Sequence, residues 1–202
     1  MKKSLFLTGI TLLMALSATV AGAADLTGKI GVTGRIGFLV PADSEVFSLG
    51  GSNNVSTDAG FVGGGGFLYG IDKNLTAELD ITATGFSGDT AGRSADFNTI
   101  AIALGGQYRF KEVSKVTPYL GAGIDILIND AKYAGNTADV DTVLGVHFAG
   151  GVDYFLAKNL ALTSEMKFLI SPTADMNYGG AKVGNFDPSS FSMTFGVRYF
   201  IN

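Results

Sequence analysis

The chain contains no cysteine and no tryptophan, a single histidine, and four prolines in 202 residues. Without cysteine there is no disulfide framework, no thiolate metal site and no thiol nucleophile. Positive charge is scarce as well. Lys and Arg number 14 against 18 Asp and Glu, and setting aside Lys2 and Lys3 leaves 12 basic residues and a net charge of −6. A chain so balanced lacks the basic surface that a nucleic-acid binder needs. Past residue 23 there is no long apolar run of the ~20 residues that a membrane-spanning helix requires. Glycine is plentiful at 29 residues, but it shows no three-residue period, so a collagen-like fibre is excluded.

Met1-Lys2-Lys3, an apolar stretch over residues 5–20, and the small residues Ala21-Gly22-Ala23 have the parts of a secretory signal peptide. Residues 1–23 are therefore expected to be a leader cleaved after Ala23, with one domain over residues 24–202. If that domain enters a membrane it must do so as a closed barrel, because only helices and barrels satisfy their backbone in lipid.

Residues 143–170 set the pattern for the rest. Leu144, Val146, Phe148, Val152, Tyr154 and Leu156 fall on one face, and Gly145, His147, Ala149, Gly151 and Asp153 on the other. After Ala157-Lys158-Asn159 the alternation resumes, with Leu160, Leu162, Met166, Phe168 and Ile170 opposite Thr163, Glu165 and Lys167. Successive side chains on a strand point to opposite sides, so this is a hairpin. The same reading works over residues 29–40, 59–71, 75–86, 97–110, 118–128 and 191–201, giving eight strands. Connections alternate long and short: 41–57, 87–96, 129–142 and 171–190 are long and polar, whereas 72–74, 111–117 and 157–159 are short. Short periplasmic turns, long external loops and an even strand number are the outer-membrane pattern. Tyr69, Tyr108, Tyr119, Tyr154 and Tyr199 gather near the short-turn end, where an aromatic belt would meet water. A soluble β-sandwich also alternates, but its charged face would lie outside and its connections would show no such order. The predicted fold is all-β: an eight-stranded antiparallel up-and-down transmembrane β-barrel in the outer membrane, monomeric and surrounded by lipid.

If the apolar face meets lipid, the other face is the lumen. Its charged members are Lys29, Arg35, Arg109, Lys167 and Arg198 with Glu78, Asp80, Asp125, Asp153 and Glu165. Eight strands leave room for little beyond their own side chains, and buried charge is costly unless paired. Five cations and five anions predict an ion-pair network that closes the tube. Toward the long loops the inward face turns apolar: Leu39, Val62, Phe86, Phe97, Leu127, Val143 and Leu169. These residues either form a mouth that binds a small hydrophobic molecule or pack as a small core under the loops. Glu78 and Asp80 as a general acid and base are less well explained than as partners of internal arginines. His147 has no serine beside it in its own strand, so no hydrolase triad is expected. Asn129, Asp130, Asp139 and Asp141 share one loop and read as a solvated acidic loop rather than a divalent-cation site. No cofactor and no metal are expected.

Pro118-Tyr119-Leu120-Gly121-Ala122-Gly123, the run from Gly151-Val152-Asp153-Tyr154 through Asn159, and the ending Phe195-Gly196-Val197-Arg198-Tyr199-Phe200 resemble small outer-membrane β-barrels of the OmpA/OmpX-like class. They are most similar to the OmpW group. That resemblance implies eight strands and a hydrophobic gorge that passes small apolar compounds out through the barrel wall. The expected function is to bind or pass a small hydrophobic solute through the apolar outer mouth, without catalysis. The alternative is a structural or adhesive barrel that acts through its external loops above an inert lumen.

Overall fold

The computed structural model describes residues 25–48, 51–90, 93–133 and 136–201. The expected leader, residues 1–23, lies outside them. The described residues form thirteen strands and no helix. In chain order these are β1 (Ile30–Pro41), β2 (Ser44–Ser48), β3 (Gly51–Thr57), β4 (Gly60–Gly70), β5 (Leu75–Thr90), β6 (Arg93–Arg109) and β7 (Val116–Tyr133). Then come β8 (Asn136–Val140), β9 (Val143–Ala157), β10 (Leu160–Ile170), β11 (Ala174–Tyr178), β12 (Ala181–Phe186) and β13 (Ser190–Ile201). The eight long strands are those that the alternation marks out. They pair antiparallel as β1-β4-β5-β6-β7-β9-β10-β13, and β13 returns to β1 from Ile30↔Ile201 to Pro41↔Ser190. With no edge left open, every strand has two hydrogen-bonding neighbours, as lipid demands.

Side chains separate cleanly between the two surfaces of this tube. Ile36 and Phe61 are 74% and 84% exposed, whereas Leu127 and Arg198 are 0% exposed. The apolar face is thus outside and the ionic face enclosed, the reverse of a water-soluble protein. Tyr69, Tyr108, Tyr154 and Tyr199 lie on the outer surface near the short turns, but Tyr119 is only 1% exposed and belongs to the interior. Its position on the inward face of β7 overrides its nearness to the belt.

The four long connections are not irregular loops. β5, β6 and β7 run on for 16, 17 and 18 residues, well past the ~9–11 that cross a bilayer. Outside the membrane they join the short strands in a second closed ring, β2-β3-β5-β6-β7-β8-β11-β12. The sequence hid these strands because neither face meets lipid there, so an apolar residue in every second position is no longer required. The β11–β12 hairpin turns through Gly179 and Gly180, with φ of 60° and 81°. Two successive positive φ values suit the right-handed twist of the flanking strands and favour glycine at both places.

Between the rings lies a seam, at residues 42–43, 58–59, 141–142, 171–173 and 187–189, where strands of one ring hand over to the other. Side chains and loop backbone fasten it. Ala42 N–H donates to the Ser189 carbonyl (2.8 Å), Ser171 N–H to Ser189 Oγ (3.1 Å) and Asp187 N–H to Ser44 Oγ (3.2 Å). At the opposite end the short turn after β4 is held by Asp72, whose Oδ1 accepts from the N–H groups of Asn74 (2.7 Å) and Leu75 (2.8 Å). Those two bonds hold its carboxyl below the usual carboxylate range.

Candidate functional site

The interior is stacked in layers from the periplasmic end upward. The floor is apolar: Leu26, Phe155, Ala161 and Phe200 are buried together, with the Phe155 and Phe200 rings stacked at 5.8 Å. Phe200 therefore points into the barrel, while its neighbours Tyr199 and Ile201 face outward.

Above the floor sit the charges. Asp153 Oδ2 accepts from Arg109 Nη2 (2.5 Å) and from Arg198 Nη1 (2.7 Å), and Arg198 Nε donates to Thr33 Oγ1 (3.0 Å). Both guanidiniums lie over the Tyr119 ring, 5.4 and 5.3 Å from its centroid, which adds cation–π attraction to the pairing. One turn of the network higher, Arg35 reaches Glu165 (2.6 Å), Glu78 (2.8 Å) and Asp80 (3.3 Å). Gln107 Nε2 donates to Glu78 (2.7 Å) and Tyr119 Oη to Glu165 (2.9 Å). Lys167 Nζ donates to Asp125 Oδ1 (2.6 Å), whose other oxygen meets His147 Nδ1. This buried network spans the lumen.

Nine of the ten charged residues expected in the lumen take part in these pairs. Lys29 does not. It stands at the mouth of β1, half-buried, where its backbone N–H donates to Leu26, and it forms no ion pair among the described residues. Gln107, Tyr119 and His147 are the members that charge alone did not reveal, although all three occupy inward positions of their strands. Packing around Tyr119 is tight: a Cβ built on Gly151 would lie 2.5 Å from Tyr119 Oη and from the Ser164 carbonyl. Gly151→Ala should therefore lower stability by about 1–3 kcal/mol, the usual cost of overpacking, as read from the urea midpoint of the detergent-folded protein.

The apolar residues expected at the mouth also meet. Leu39, Val62, Phe86 and Phe97 are buried in one cluster, with Val143 packed against it. The rest of that cluster comes from the outer ring: Ala131 of β7 together with Ala174, Met176 and Phe186. Phe186 stacks on Phe97 at 5.1 Å and on Phe86 at 6.1 Å, and Phe86 lies 5.5 Å from Phe97. The top of the lumen is thus filled by a core under the external hairpins rather than left as an open cup. Leu127 and Leu169 stand lower, on the wall of a cavity of about 50 Å³ between the aromatic cluster and the charges. Ser190, Pro188 and Leu169 bring the seam to one side of that cavity. No signal pointed to Phe186 as part of the site beyond its being, with Tyr178, one of two aromatics in a polar stretch.

No group of three or more His, Asp or Glu side chains among the described residues is placed to hold a metal ion. Asp130 and Asp139 are paired across β7 and β8, while Asn129 Nδ2 donates to the Asp141 carbonyl (3.1 Å). His147 has its bond with Asp125, and no serine hydroxyl joins it among the described contacts.

The sequence model of the outer membrane protein beta-barrel domain matches residues 8–199. Among solved structures the chain is similar to the outer membrane protein OprG from Pseudomonas aeruginosa, at 18% identity over 91% of this chain and 100% of that one, with a TM-score of 0.73. It is similar also to AlkL, an outer membrane protein determined in lipid bilayers, at 17% identity over 92% and 93% of the two chains and a TM-score of 0.58. Neisserial surface protein A shares 21% identity over 85% of this chain and 98% of its own, with a TM-score of 0.54. At these identities the likeness speaks for the fold. No curated protein sequence matches. From an exposed apolar wall, an enclosed ionic interior, a closed ring of eight strands and a family match across nearly the whole chain, it follows that this protein belongs to the outer membrane protein beta-barrel domain family and resides in the outer membrane.

Proposed function

We propose that the barrel admits small hydrophobic molecules from outside into the chamber between the aromatic cluster and the ionic network. It then releases them sideways into the membrane instead of through to the periplasm. The observation that carries this reading is the contrast between the two halves. Below the chamber lies a layer of paired, buried charge that is expensive to disturb. Beside it lies the seam, where a few loop and serine hydrogen bonds replace a continuous strand ladder. Such bonds contribute only about 1 kcal/mol each and open more readily than a ladder. The cavity of about 50 Å³ is far below the ~300–1,000 Å³ of a site for a drug-sized ligand, so the solute is small or the aromatic cluster moves to admit it. The protein acts as a monomer in lipid, without catalysis, after removal of residues 1–23.

The test is solute uptake by vesicles whose outer leaflet carries lipopolysaccharide, a sugar layer that apolar molecules cross poorly. Leu127→Asp/Leu169→Asp, checked for intact folding, should reduce uptake about tenfold or more, because it places unpaired carboxylates on the chamber wall. Equal uptake by this variant and the wild type would count against the proposal. One further observation favours a second reading, in which the external surface acts by itself. The outer ring is a hydrogen-bonded and cored platform, not a set of loose loops. On that reading, shortening the β11–β12 hairpin tip abolishes surface binding and leaves uptake unchanged.

A further inference from the structure

We infer that the chamber prefers small amphiphiles with a cationic, hydrogen-bond-donating head, seated on Asp80, over neutral molecules of the same chain length. This deepens the chamber reading and rests on it.

The carboxylates around the chamber floor are not equally served. Arg35, Arg109, Lys167 and Arg198, together with His147, share the interior with five carboxylates, Glu78, Asp80, Asp125, Asp153 and Glu165. Arg109 and Arg198 are both spent on Asp153 in the lower layer, apart from a 3.8 Å approach of Arg198 to Glu78. Lys167 is bonded to Asp125, and His147 contacts that same carboxylate. Arg35 alone is left to serve Glu165, Glu78 and Asp80, and Asp80 is the most distant of the three.

Asp153 in the lower layer and Asp80 each keep one buried oxygen without a hydrogen bond, and of the two only Asp80 lines the chamber. It is 5% exposed and takes part in no side-chain hydrogen bond among the described residues; its buried Oδ1 has only the ion-pair approach of Arg35 Nη2 at 3.3 Å, without a hydrogen bond. It lines the chamber, on the same wall as Thr82 and Thr84. The facing stretch of β4 is glycine: a Cβ on Gly66 would lie 2.5 Å from Asp80 Oδ1, so the wall is recessed to accommodate the carboxylate. Above it the walls are Leu39, Val62, Phe86 and Leu127. An acceptor so weakly served beneath apolar walls matches a molecule with an ammonium at one end and a short hydrocarbon at the other. Ammonium supplies several donors and a positive charge together, whereas a hydroxyl supplies one donor and a carboxylate neither. The cavity's size limits the tail to a few carbons.

Titration calorimetry of the folded chain in nanodiscs of uncharged lipid, with empty nanodiscs as reference, tests this with n-butylammonium, 1-butanol and butyrate. Butylammonium should bind about tenfold more tightly than butanol, the gain expected of an ion pair with several donors over a single hydroxyl bond, and butyrate most weakly. Asp80→Asn should abolish the ammonium advantage and weaken butanol far less than butylammonium. Equal affinity for ammonium and alcohol in the wild type, or an advantage that survives in Asp80→Asn, overturns the inference while leaving the chamber standing. Failure of all three probes to bind overturns the chamber itself. The wild-type ranking decides the matter should the variant not assemble.

Discussion

Asp153→Asn should destabilise the folded barrel by about 3–5 kcal/mol, the cost of breaking a buried ion pair from one side. Asp153 is fully buried and is the shared partner of Arg109 and Arg198, both themselves buried against the Tyr119 ring. Removing its charge strands two guanidiniums. Among the described residues Arg109 has no other carboxylate, while Arg198 keeps only the distant Glu78. A second change, Arg109→Met, made in the Asp153→Asn background should return part of that loss, because it deletes one of the stranded charges and keeps its volume. Guanidinium unfolding in micelles, followed by tyrosine fluorescence and electrophoretic mobility, checks both. If Asp153→Asn unfolds at the wild-type midpoint, the ionic layer is solvated and the lumen is not sealed.

Phe186→Ala should act in the opposite sense on function. Phe186 is buried, stacks on Phe86 and Phe97, and forms part of the chamber's lining. Truncation should weaken the outer ring by about 3–5 kcal/mol, as for large core aromatics. The membrane barrel, whose ladders involve none of these atoms, should hold. The enlarged chamber then admits more solute, and vesicle uptake rises where Leu127→Asp/Leu169→Asp makes it fall. A single receptor surface on the outer hairpins would give neither change. Proteolysis separates the two levels: Phe186→Ala should be nicked in the outer ring while the transmembrane strands remain protected.

The transmembrane ring was legible because lipid imposes a strict rule. Every strand had to present apolar residues at alternate positions, and Val143–Ala157 followed by Leu160–Ile170 obeys it almost without exception. The ionic network followed from charge on the opposite face, and its pairs could be anticipated as a set but not individually. Partners depend on register between strands far apart in sequence, such as Arg35 with Glu165, 130 residues away. Lys29 and Tyr119 show the limit of the pattern. One sits at a strand's first turn, where inward position no longer means burial in the network, and the other sits where the belt and the lumen compete for the same ring. The outer ring was not legible, because water on its outer surface removes the alternation. Phe186 became part of the site only through β12 folding over the mouth.

The most direct test is methyl NMR of the folded chain in lipid bilayers during titration with 1-butanol. The account predicts that the methyls of Leu39, Val62, Leu127 and Leu169 shift together and saturate, while those of Leu26 and Ala161 on the periplasmic floor stay fixed. Shifts at Leu26 and Ala161, or shifts confined to the outer hairpins with the chamber methyls unmoved, would contradict it.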